Sequence, residues 1–213
     1  MSYLFKGAKQ KLILGLREKG ISDENVLAAF DKVDRHEFVQ SVMRDKAYWD
    51  QPLKISCEQT ISQPFTVAFQ SQLLQIQKGD KVLEIGTGSG FQAAILSAMG
   101  AKVYSIERQE GLYRETSRLL EYIDYRIFTF LGDGFNGIPK YAPYDKIIVT
   151  CGAPNVPLSL IHQLKINGLM VIPVGENTQK MIRITKTSEN DYTEEEFGDF
   201  VFVPMLKDVK AIH

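Results

Sequence analysis

Residues 82–91 read VLEIGTGSGF, and this stretch decides the fold of the chain. Its first four residues are typical of a buried strand, and three glycines that alternate with Thr87 and Ser89 follow at once. Residues 92–96, QAAIL, favour a helix. Because glycine tolerates positive φ angles and lets a ligand approach the main chain closely, the stretch predicts a strand, a ligand-binding turn and a helix in succession.

Short apolar runs alternate with helical segments on the C-terminal side of this turn. The predicted strands cover residues 81–85, 102–106, 125–130, 146–150 and 169–173, and the segments between the first three read as helices. Alternating strands and helices favour a mostly parallel sheet with helices on both faces. The predicted fold is therefore α/β, with a doubly wound, Rossmann-like sheet.

Both ends of the chain depart from this alternation. Residues 3–33 repeat apolar side chains at three- and four-residue steps, which predicts an N-terminal helical extension. Residues 181–187 and 195–203 read as two strands joined by the polar turn 188–191, so we expect an antiparallel pair at one sheet edge. At 213 residues the chain suits a single domain, 1–213, with the extension and a substrate loop in 1–78 and the α/β core in 79–213.

The composition argues against several classes of protein. Hydrophobic residues make up 44% and charged residues 24% of the chain, as in ordinary globular proteins. A net charge of -1 offers no basic surface to nucleic acid, and no apolar run approaches the roughly 20 residues that span a bilayer. Cys57 and Cys151 lie far apart, without the spacing of a disulfide framework or a metal site. We expect a cytoplasmic monomer with no metal, nucleic-acid or membrane partner.

The spacing of the glycines distinguishes between nucleotide-binding motifs. A dinucleotide site needs G-x-G-x-x-G/A, but Phe91 stands at the third small position, and no Gly-Lys-Ser/Thr follows as a P-loop requires. A G-x-G-x-G turn after an acidic residue resembles motif I of the class I S-adenosylmethionine-dependent methyltransferases. The resemblance implies that the amino acid moiety of the cofactor contacts Glu84, Gly86, Thr87, Gly88, Ser89 and Gly90. The alternative is a tight turn with no ligand.

Acidic residues end the next two predicted strands. Glu107, followed by Arg108, lies about 20 residues beyond the glycines, where a carboxylate accepts both hydrogen bonds of a ribose diol. The alternative for Glu107 is a solvated charge at a strand end. The third strand leads into Gly132-Asp133-Gly134, where Asp133 is expected to accept from the adenine amino group or to form a simple Asp-Gly turn.

A longer series of motifs resembles one family. The motifs are QTISQP at 59–64, VLEIGTGSGFQAA at 82–94, SIER at 105–108, GDG at 132–134, APYDKIIVT at 142–150, VIPVG at 171–175 and FVPM at 202–205. From about Lys19 to Met205 the chain is similar to the protein-L-isoaspartate O-methyltransferases, which have a Rossmann-like methyltransferase fold. The resemblance implies methyl transfer from S-adenosylmethionine to the free α-carboxylate of L-isoaspartyl residues in damaged proteins or peptides.

The same resemblance implies a role in protein repair. The methyl ester cyclises to a succinimide, and hydrolysis of the succinimide returns some normal aspartate, while S-adenosylhomocysteine is left as the second product. A carboxylate with a pKa of about 4 is already ionised at neutral pH, so the reaction needs no general base. The absence of a Ser-His-Asp motif from the sequence is therefore compatible with an enzyme.

The resemblance places the active site at Ser62, in the motif that precedes the predicted helix from Pro64. Thr60 lies two residues earlier, on the same side if the segment is extended. Hydroxyl groups can hold a substrate carboxylate without neutralising it. The alternative for Ser62 is an N-cap of the following helix, and both roles are compatible.

The chain departs from the family at two places and leaves other functions open. The family usually has PLPIGxG where residues 52–58 read PLKISCE, so Ser56 and Glu58 replace glycines, and Phe91 replaces a common tyrosine. The altered loop leaves open another methyl acceptor. A nicotinamide-dependent oxidoreductase and a non-catalytic cofactor-binding module are further alternatives. His36, beside an arginine, is more typical of a surface or capping histidine than of a catalyst.

Overall fold

A computed structural model describes residues 3–211, with side chains from Phe5 onward. Its α-helices are α1 (Tyr3–Glu18), α2 (Glu24–Lys32), α3 (Pro64–Leu74), α4 (Phe91–Ala98), α5 (Glu110–Tyr122) and α6 (Leu158–Gln163). Its strands are β1 (Leu53–Lys54), β2 (Thr60–Ile61), β3 (Lys81–Ile85), β4 (Lys102–Glu107), β5 (Phe128–Leu131), β6 (Tyr144–Val149), β7 (Leu164–Val174), β8 (Gln179–Lys186) and β9 (Tyr192–Phe200). Short 3-10 helices lie at Arg35–Phe38, Ser41–Lys46, Gly134–Asn136 and Pro139–Tyr141.

Strands β3 to β9 form one sheet in the order β5-β4-β3-β6-β7-β8-β9. The first five strands in this order are parallel, and β8 and β9 add to them as antiparallel strands. The predicted α/β fold, with its C-terminal antiparallel pair, is confirmed. None of the described helices is both long and apolar enough to cross a membrane.

Strands β5 and β9 are shifted along the chain from their predictions, and β7 begins at Leu164 rather than at residue 169. Strand β5 begins at Phe128 rather than at residue 125, because Tyr125 N–H still donates to Leu120 O and completes the end of α5. Strand β9 covers Tyr192–Phe200 rather than 195–203. The chain leaves the sheet after Phe200, and Phe202 N–H donates to the side chain of Gln179 instead of continuing the ladder. The residues after β9 are therefore free to cross another part of the molecule.

Alternating side chains of the central strand β3 pack in two separate cores. Val82 belongs to a cluster with α3 and α4 on one face of the sheet. Leu83 and Ile85 belong to a cluster with α6 on the other face. Both faces of β3 are buried, as the continuous apolar character of the run requires for a central parallel strand.

The N-terminal extension packs through an apolar cluster of its own against α3 and α4. Leu16 of α1 and Phe30 of α2 are buried in this cluster. The carboxylate of Asp23 accepts from Asn25 N–H and Val26 N–H and so caps the start of α2. This packing fixes the segment that follows α2, including the short antiparallel hairpin of β1 and β2.

The order of the strands defines where a ligand can bind. From β3 the chain runs outward to β4 and β5, and then returns to β6 on the other side of β3. Connections that leave adjacent parallel strands in opposite directions open a crevice at the carboxyl ends of those strands. The glycine turn follows β3 and lies at this crevice.

Candidate active site

One cavity of about 890 Å³, open to solvent, lies at the carboxyl ends of β3, β4 and β6. Five segments line it: residues 59–62, 85–89, 106–109, 150–151 and 203–206, together with Val67 of α3, Phe91 and Gln92 of α4, and Gly134. This volume includes the solvent space at the open mouth of the cavity. The cavity thus joins the hairpin segment, the glycine turn and the C-terminal segment in one site.

The glycine turn has a geometry that other residues would disrupt. Gly86 has a φ of 95°, and a Cβ atom there would lie 2.6 Å from Thr150 Oγ1. Gly90 has a φ of 85°, and its Cβ would lie 2.9 Å from Thr116 Cγ2. A Cβ at Gly88, in contrast, would meet nothing within 4 Å, because this part of the turn is open. The main chain is therefore accessible where it borders the cavity.

The carboxylate of Glu107 holds two parts of the cavity wall. Its Oε2 accepts from Gly88 N–H at 2.9 Å, and its Oε1 accepts from Gln109 N–H at 2.9 Å. The side chain is buried, and Glu107 lines the cavity. Since each carboxylate oxygen can accept two hydrogen bonds, both retain capacity towards the cavity.

Arg108 and Asp133 anchor the C-terminal segment. The Arg108 guanidinium donates to Lys207 O and Asp208 O, at 3.3 and 3.1 Å. Asp133 accepts from Asp208 N–H through Oδ2 at 3.0 Å and from Phe135 N–H through Oδ1 at 2.9 Å. These contacts hold the residues after β9 over the cavity.

Glu84 lies beneath the turn and not on the cavity wall. Its side chain has no solvent exposure, and its Oε2 is hydrogen-bonded to Ser105 Oγ on the neighbouring strand. Ser105 Oγ is also 2.6 Å from Thr87 Oγ1. Burial raises the pKa of Glu84 to about 8; the hydrogen bond with Ser105 lowers it in part, and the charge of Glu107 adds a smaller rise. Glu84 therefore reaches the cavity only through these two hydroxyl groups.

Ser62 lies on the cavity wall between β2 and α3. The N-cap residue of α3 is Gln63 rather than Ser62, and no side chain caps the helix from that position. Among the described residues, no hydrogen bond involves the Ser62 hydroxyl, so it is available to a ligand. Thr60 also lines the cavity and is exposed.

Asp50 supports the Ser62 segment from a distance in sequence. Its Oδ1 accepts from Phe65 N–H at 2.8 Å, and its main-chain carbonyl accepts from Gln63 Nε2 at 3.1 Å. Its Oδ2 forms an ion pair with Lys19 Nζ at 2.5 Å. The start of α3 is therefore fixed by a side chain that no local capping pattern could reveal.

Thr150 and Cys151 follow β6 and face the glycine turn. Thr150 Oγ1 lies 2.9 Å from Ile85 O and 2.7 Å from Gly86 O. Burial raises the pKa of the Cys151 thiol to about 12, so the thiol is protonated at neutral pH and is a weak nucleophile. Both residues line the cavity.

The structure brings most of the predicted site residues to this cavity. Those that line it are Thr60, Ser62, Gly86, Thr87, Gly88, Ser89, Glu107, Arg108 and Gly134. Among the described residues, those that do not line it are Glu84, Gly90, Gly132 and Asp133. Within residues 3–211, no group of three or more metal-ligating side chains could hold a metal ion.

Sequence reasoning missed several residues of the cavity wall. Thr150 had a usable signal, because it follows a predicted strand whose carboxyl end lies at the same sheet edge. Gln109 had none: its Nε2 donates to Cys57 O at 3.4 Å, across 52 positions of sequence. Residues 203–206 likewise reach the cavity only through long-range contacts, such as that of Gly152 N–H with Val203 O at 2.8 Å.

A family model for protein-L-isoaspartate(D-aspartate) O-methyltransferase (PCMT) matches residues 7–210. The chain belongs to this family. A protein-L-isoaspartate O-methyltransferase of Christiangramia forsetii is 52% identical over 208 residues, which cover 97% of this chain and 98% of the relative. One of Flavobacterium psychrophilum is 52% identical over 204 residues, covering 95% and 96%.

Solved structures of the PCMT family have the same fold. One protein-L-isoaspartate O-methyltransferase matches with a TM-score of 0.86 and 28% identity, over 94% of this chain and 67% of that chain. A Plasmodium falciparum protein with the same family name, crystallised with S-adenosyl-L-homocysteine, matches with a TM-score of 0.82 and 24% identity, over 93% and 98%. At that identity the second likeness bears on the fold alone.

The hairpin loop contains the clearest departure from the family pattern. Cys57 and Glu58 have φ angles of 58° and 59°, in the left-handed region that favours glycine. Glu58 stands where the family pattern has a glycine. Glu58 therefore holds a backbone conformation that glycine adopts with less strain.

Proposed function

We propose that this protein transfers a methyl group from S-adenosylmethionine to the free α-carboxylate of L-isoaspartyl residues in damaged proteins and peptides. The observation that carries the proposal is the meeting of the Ser62 segment and the glycine turn in one cavity. Membership of the PCMT family supports the same reaction. The ester then cyclises to a succinimide, whose hydrolysis restores part of the normal aspartate.

The residues of the cavity suit the cofactor. S-adenosylmethionine supplies an electrophilic methyl group on a sulfonium sulfur. Gly88 leaves space for close approach of its amino acid moiety, and Glu107 retains acceptor capacity for a ribose diol. The protonated thiol of Cys151 leaves no reactive thiolate to compete for the methyl group.

The proposed chemistry depends on alignment rather than on proton transfer. The substrate carboxylate is ionised at neutral pH, so the protein has to orient one oxygen and exclude water. The free hydroxyl of Ser62 can donate to that carboxylate without removing its charge, and Thr60 lies beside it at the cavity mouth. We assign these two residues to the acceptor side of the site.

The roles of the remaining residues follow from their contacts. We propose that Gly86, Thr87, Gly88, Ser89, Glu107 and Gly134 contact the cofactor. We propose that Arg108 and Asp133 act on it indirectly, by holding the C-terminal segment in place, and that Gly132 does so through the hydrogen bond of its N–H with Glu107 O. Residues 1–78 and 79–213 work as one domain, since both contribute to the cavity, and we propose that the protein acts as a cytoplasmic monomer with free cysteines.

Incubation with methyl-labelled S-adenosylmethionine and two peptides tests the proposal. The peptides have one sequence and differ only in an L-isoaspartyl or a normal aspartyl residue. We expect label in a base-labile ester of the isoaspartyl peptide and background label in the aspartyl peptide. Equal labelling of the two peptides would indicate another acceptor, and absence of label from both, despite cofactor binding, would indicate a non-catalytic module.

A further inference from the structure

The side chain of Glu84 is fully buried, and among the described residues it has no cationic partner. It lies on the face of β3 that carries Val82, beneath α3 and α4, and its side chain is 0% exposed. These helices read PFTVAFQSQLL and FQAAILSA and contain no charged residue. Within the described part of the chain, no ion pair involves Glu84, and its Oε1 has no hydrogen-bond partner.

The neighbouring strands do not supply a cation either. Ser105 of β4 and Ile148 of β6 lie directly opposite Glu84. Glu107, two residues beyond Ser105, adds a negative charge that opposes ionisation of Glu84. Lys146 of β6 lies level with Val82, and its charge interacts with acidic residues near the other end of these strands.

The buried polar side chains of the two covering helices are neutral. They are Thr66, Gln70 and Ser71 on α3, and Gln92 on α4. An ionised carboxylate in such surroundings is very costly, and a buried acid of this kind takes up a proton instead. The raised pKa of Glu84, about 8, has the same cause. The neutral acid is thus the form expected at neutral pH.

A chain of hydrogen bonds links Glu84 to the cavity. Ser105 Oγ contacts Glu84 Oε2, Thr87 Oγ1 lies 2.6 Å from Ser105 Oγ, and Thr87 lines the cavity. Each hydroxyl has one hydrogen to donate, and either of the two can be the donor in their shared bond. The direction of every hydrogen bond in this series therefore depends on whether Glu84 carries a proton.

We propose that Glu84 is a positioning residue that carries a proton and thereby turns the hydroxyl of Thr87 towards the cofactor as a donor. With the proton on Oε2, Glu84 donates to Ser105, Ser105 donates to Thr87, and the hydrogen of Thr87 is left for an acceptor in the cavity. The α-carboxylate of the cofactor is such an acceptor. The proposal rests on the cofactor site of the proposed function.

Loss of the proton from Glu84 reverses the direction of these hydrogen bonds. Ser105 then donates to the Glu84 carboxylate, Thr87 donates to Ser105, and the cavity meets only lone pairs of the Thr87 oxygen. A cofactor carboxylate at that position is repelled rather than bound. Cofactor affinity should therefore fall as pH rises through the titration of Glu84.

The affinity for S-adenosylhomocysteine, measured by calorimetry between pH 6.5 and 9, tests this relay of hydrogen bonds from Glu84 through Ser105 to Thr87. We expect the affinity of the wild type to fall about fivefold across this range, as for the loss of one hydrogen bond of about 1 kcal/mol. Glu84→Gln should lack this fall, because an amide N–H donates to Ser105 at every pH. The amino group of the ligand titrates equally with both proteins and cancels in the comparison.

Thr87→Val separates the relay from a direct effect of charge. Valine keeps the shape of threonine but has no hydroxyl, so the extra pH dependence should disappear in this variant. If it persists, the charge of Glu84 acts directly and the relay is wrong. Identical pH profiles of the wild type and Glu84→Gln would also overturn the proposal.

Infrared difference spectra provide a readout that needs no cofactor. Subtracting the Glu84→Gln spectrum from that of the wild type should reveal the carbonyl stretch of a protonated carboxylic acid at pH 7, and this band should disappear towards pH 9. Absence of the band at pH 7 would overturn the proposal even if the ligand binds. Failure of S-adenosylhomocysteine to bind any variant, with the band present, would contradict the proposed function and not the protonation of Glu84.

Discussion

Substitution of Ser62 tests the proposed chemistry at the scale of a single residue. We expect Ser62→Ala to lower kcat about 10²-fold, as for the loss of one donor that orients a reacting oxygen. The affinity for S-adenosylhomocysteine should change less than twofold, because Ser62 lies on the acceptor side of the cavity. Steady-state kinetics and calorimetry measure the two quantities.

Ser56→Ala is the matched control for Ser62→Ala, since Ser56 belongs to the same hairpin segment but does not line the cavity. This control should retain the wild-type kcat. A similar loss in both variants would assign the effect to the loop rather than to the Ser62 hydroxyl. If cofactor affinity falls as much as kcat does, Ser62 acts on the cofactor and not on the methyl acceptor.

Substitution of Glu58 by glycine tests whether the hairpin loop is strained. A left-handed conformation costs an L-residue roughly 1–2 kcal/mol, whereas glycine adopts it freely and loses somewhat more entropy on folding. We expect Glu58→Gly to raise the free energy of unfolding by about 0.5–1 kcal/mol, which corresponds to a rise of about 2–4 °C in Tm at the upper value. Urea and thermal unfolding measure the change.

Glu115→Gly provides the contrast for Glu58→Gly. Glu115 is exposed within α5, where glycine should lower stability by about 1 kcal/mol. Opposite signs for the two variants are expected. Destabilisation by both would mean that the side chain of Glu58 contributes more to the loop than its conformation costs.

Asp50 acts at the scale of an element, because it holds the start of α3 and hence the Ser62 segment. We expect Asp50→Ala to lower the free energy of unfolding by about 1–2 kcal/mol, as for a lost helix cap, and to lower kcat as well. Lys19→Ala removes the partly exposed ion pair and the contact of Lys19 Nζ with the Phe65 ring but leaves the cap from Asp50, and it should cost less than about 1 kcal/mol. Equal effects of the two variants on stability and kcat would exclude the capping role.

Elements that depend on local patterns could be predicted from the sequence, and elements that depend on long-range contacts could not. The glycine turn is encoded within ten residues, and strand β3 was predicted with its observed bounds. The end of α5 extends into the predicted third strand, because a main-chain hydrogen bond of Tyr125 competes with strand formation. The cap from Asp50 crosses 15 positions and has no local signature.

His36 gives the whole molecule a dependence of stability on pH. Its Nδ1 lies 2.8 Å from the Tyr48 hydroxyl, its ring stacks on Phe5, and the side chain is buried rather than at the surface as its sequence context favours. Burial lowers the pKa of His36, against the charges of Asp34 and Glu37, while Arg44 and Lys9 lower it further. The folded protein thus holds a neutral imidazole where the unfolded chain titrates at about 6.5.

The sign of this effect follows from proton binding. As pH falls below about 6.5 the unfolded chain binds a proton that the folded protein does not, so the contribution of His36 is present above this pH and is lost below it. We expect the Tm of the wild type to fall more steeply between pH 6.5 and 5 than that of His36→Gln, which cannot titrate. Parallel Tm curves for the two proteins would show that His36 is not the responsible group.

The candidate site shows the same division between local and long-range information at the scale of the molecule. Motif spacing identified the turn and Glu107, the family resemblance identified Ser62, and the structure brings all three to one cavity. The C-terminal segment that completes the cavity contains the family motif FVPM, but its place at the cavity depends on contacts with Arg108 and Asp133 that only the fold creates. The catalytic and cofactor-binding roles of these residues stay predictions.

The fate of an isoaspartyl peptide tests the central claim most directly, because only an ester on the free α-carboxylate leads to rapid cyclisation. The peptide is incubated with the protein and S-adenosylmethionine, and chromatography follows the isoaspartyl, succinimide and aspartyl forms over time. We predict loss of the isoaspartyl form, transient succinimide and accumulation of the aspartyl form, with none of these changes when the cofactor is omitted. A stable methyl ester without succinimide, or an unchanged peptide, would contradict the account.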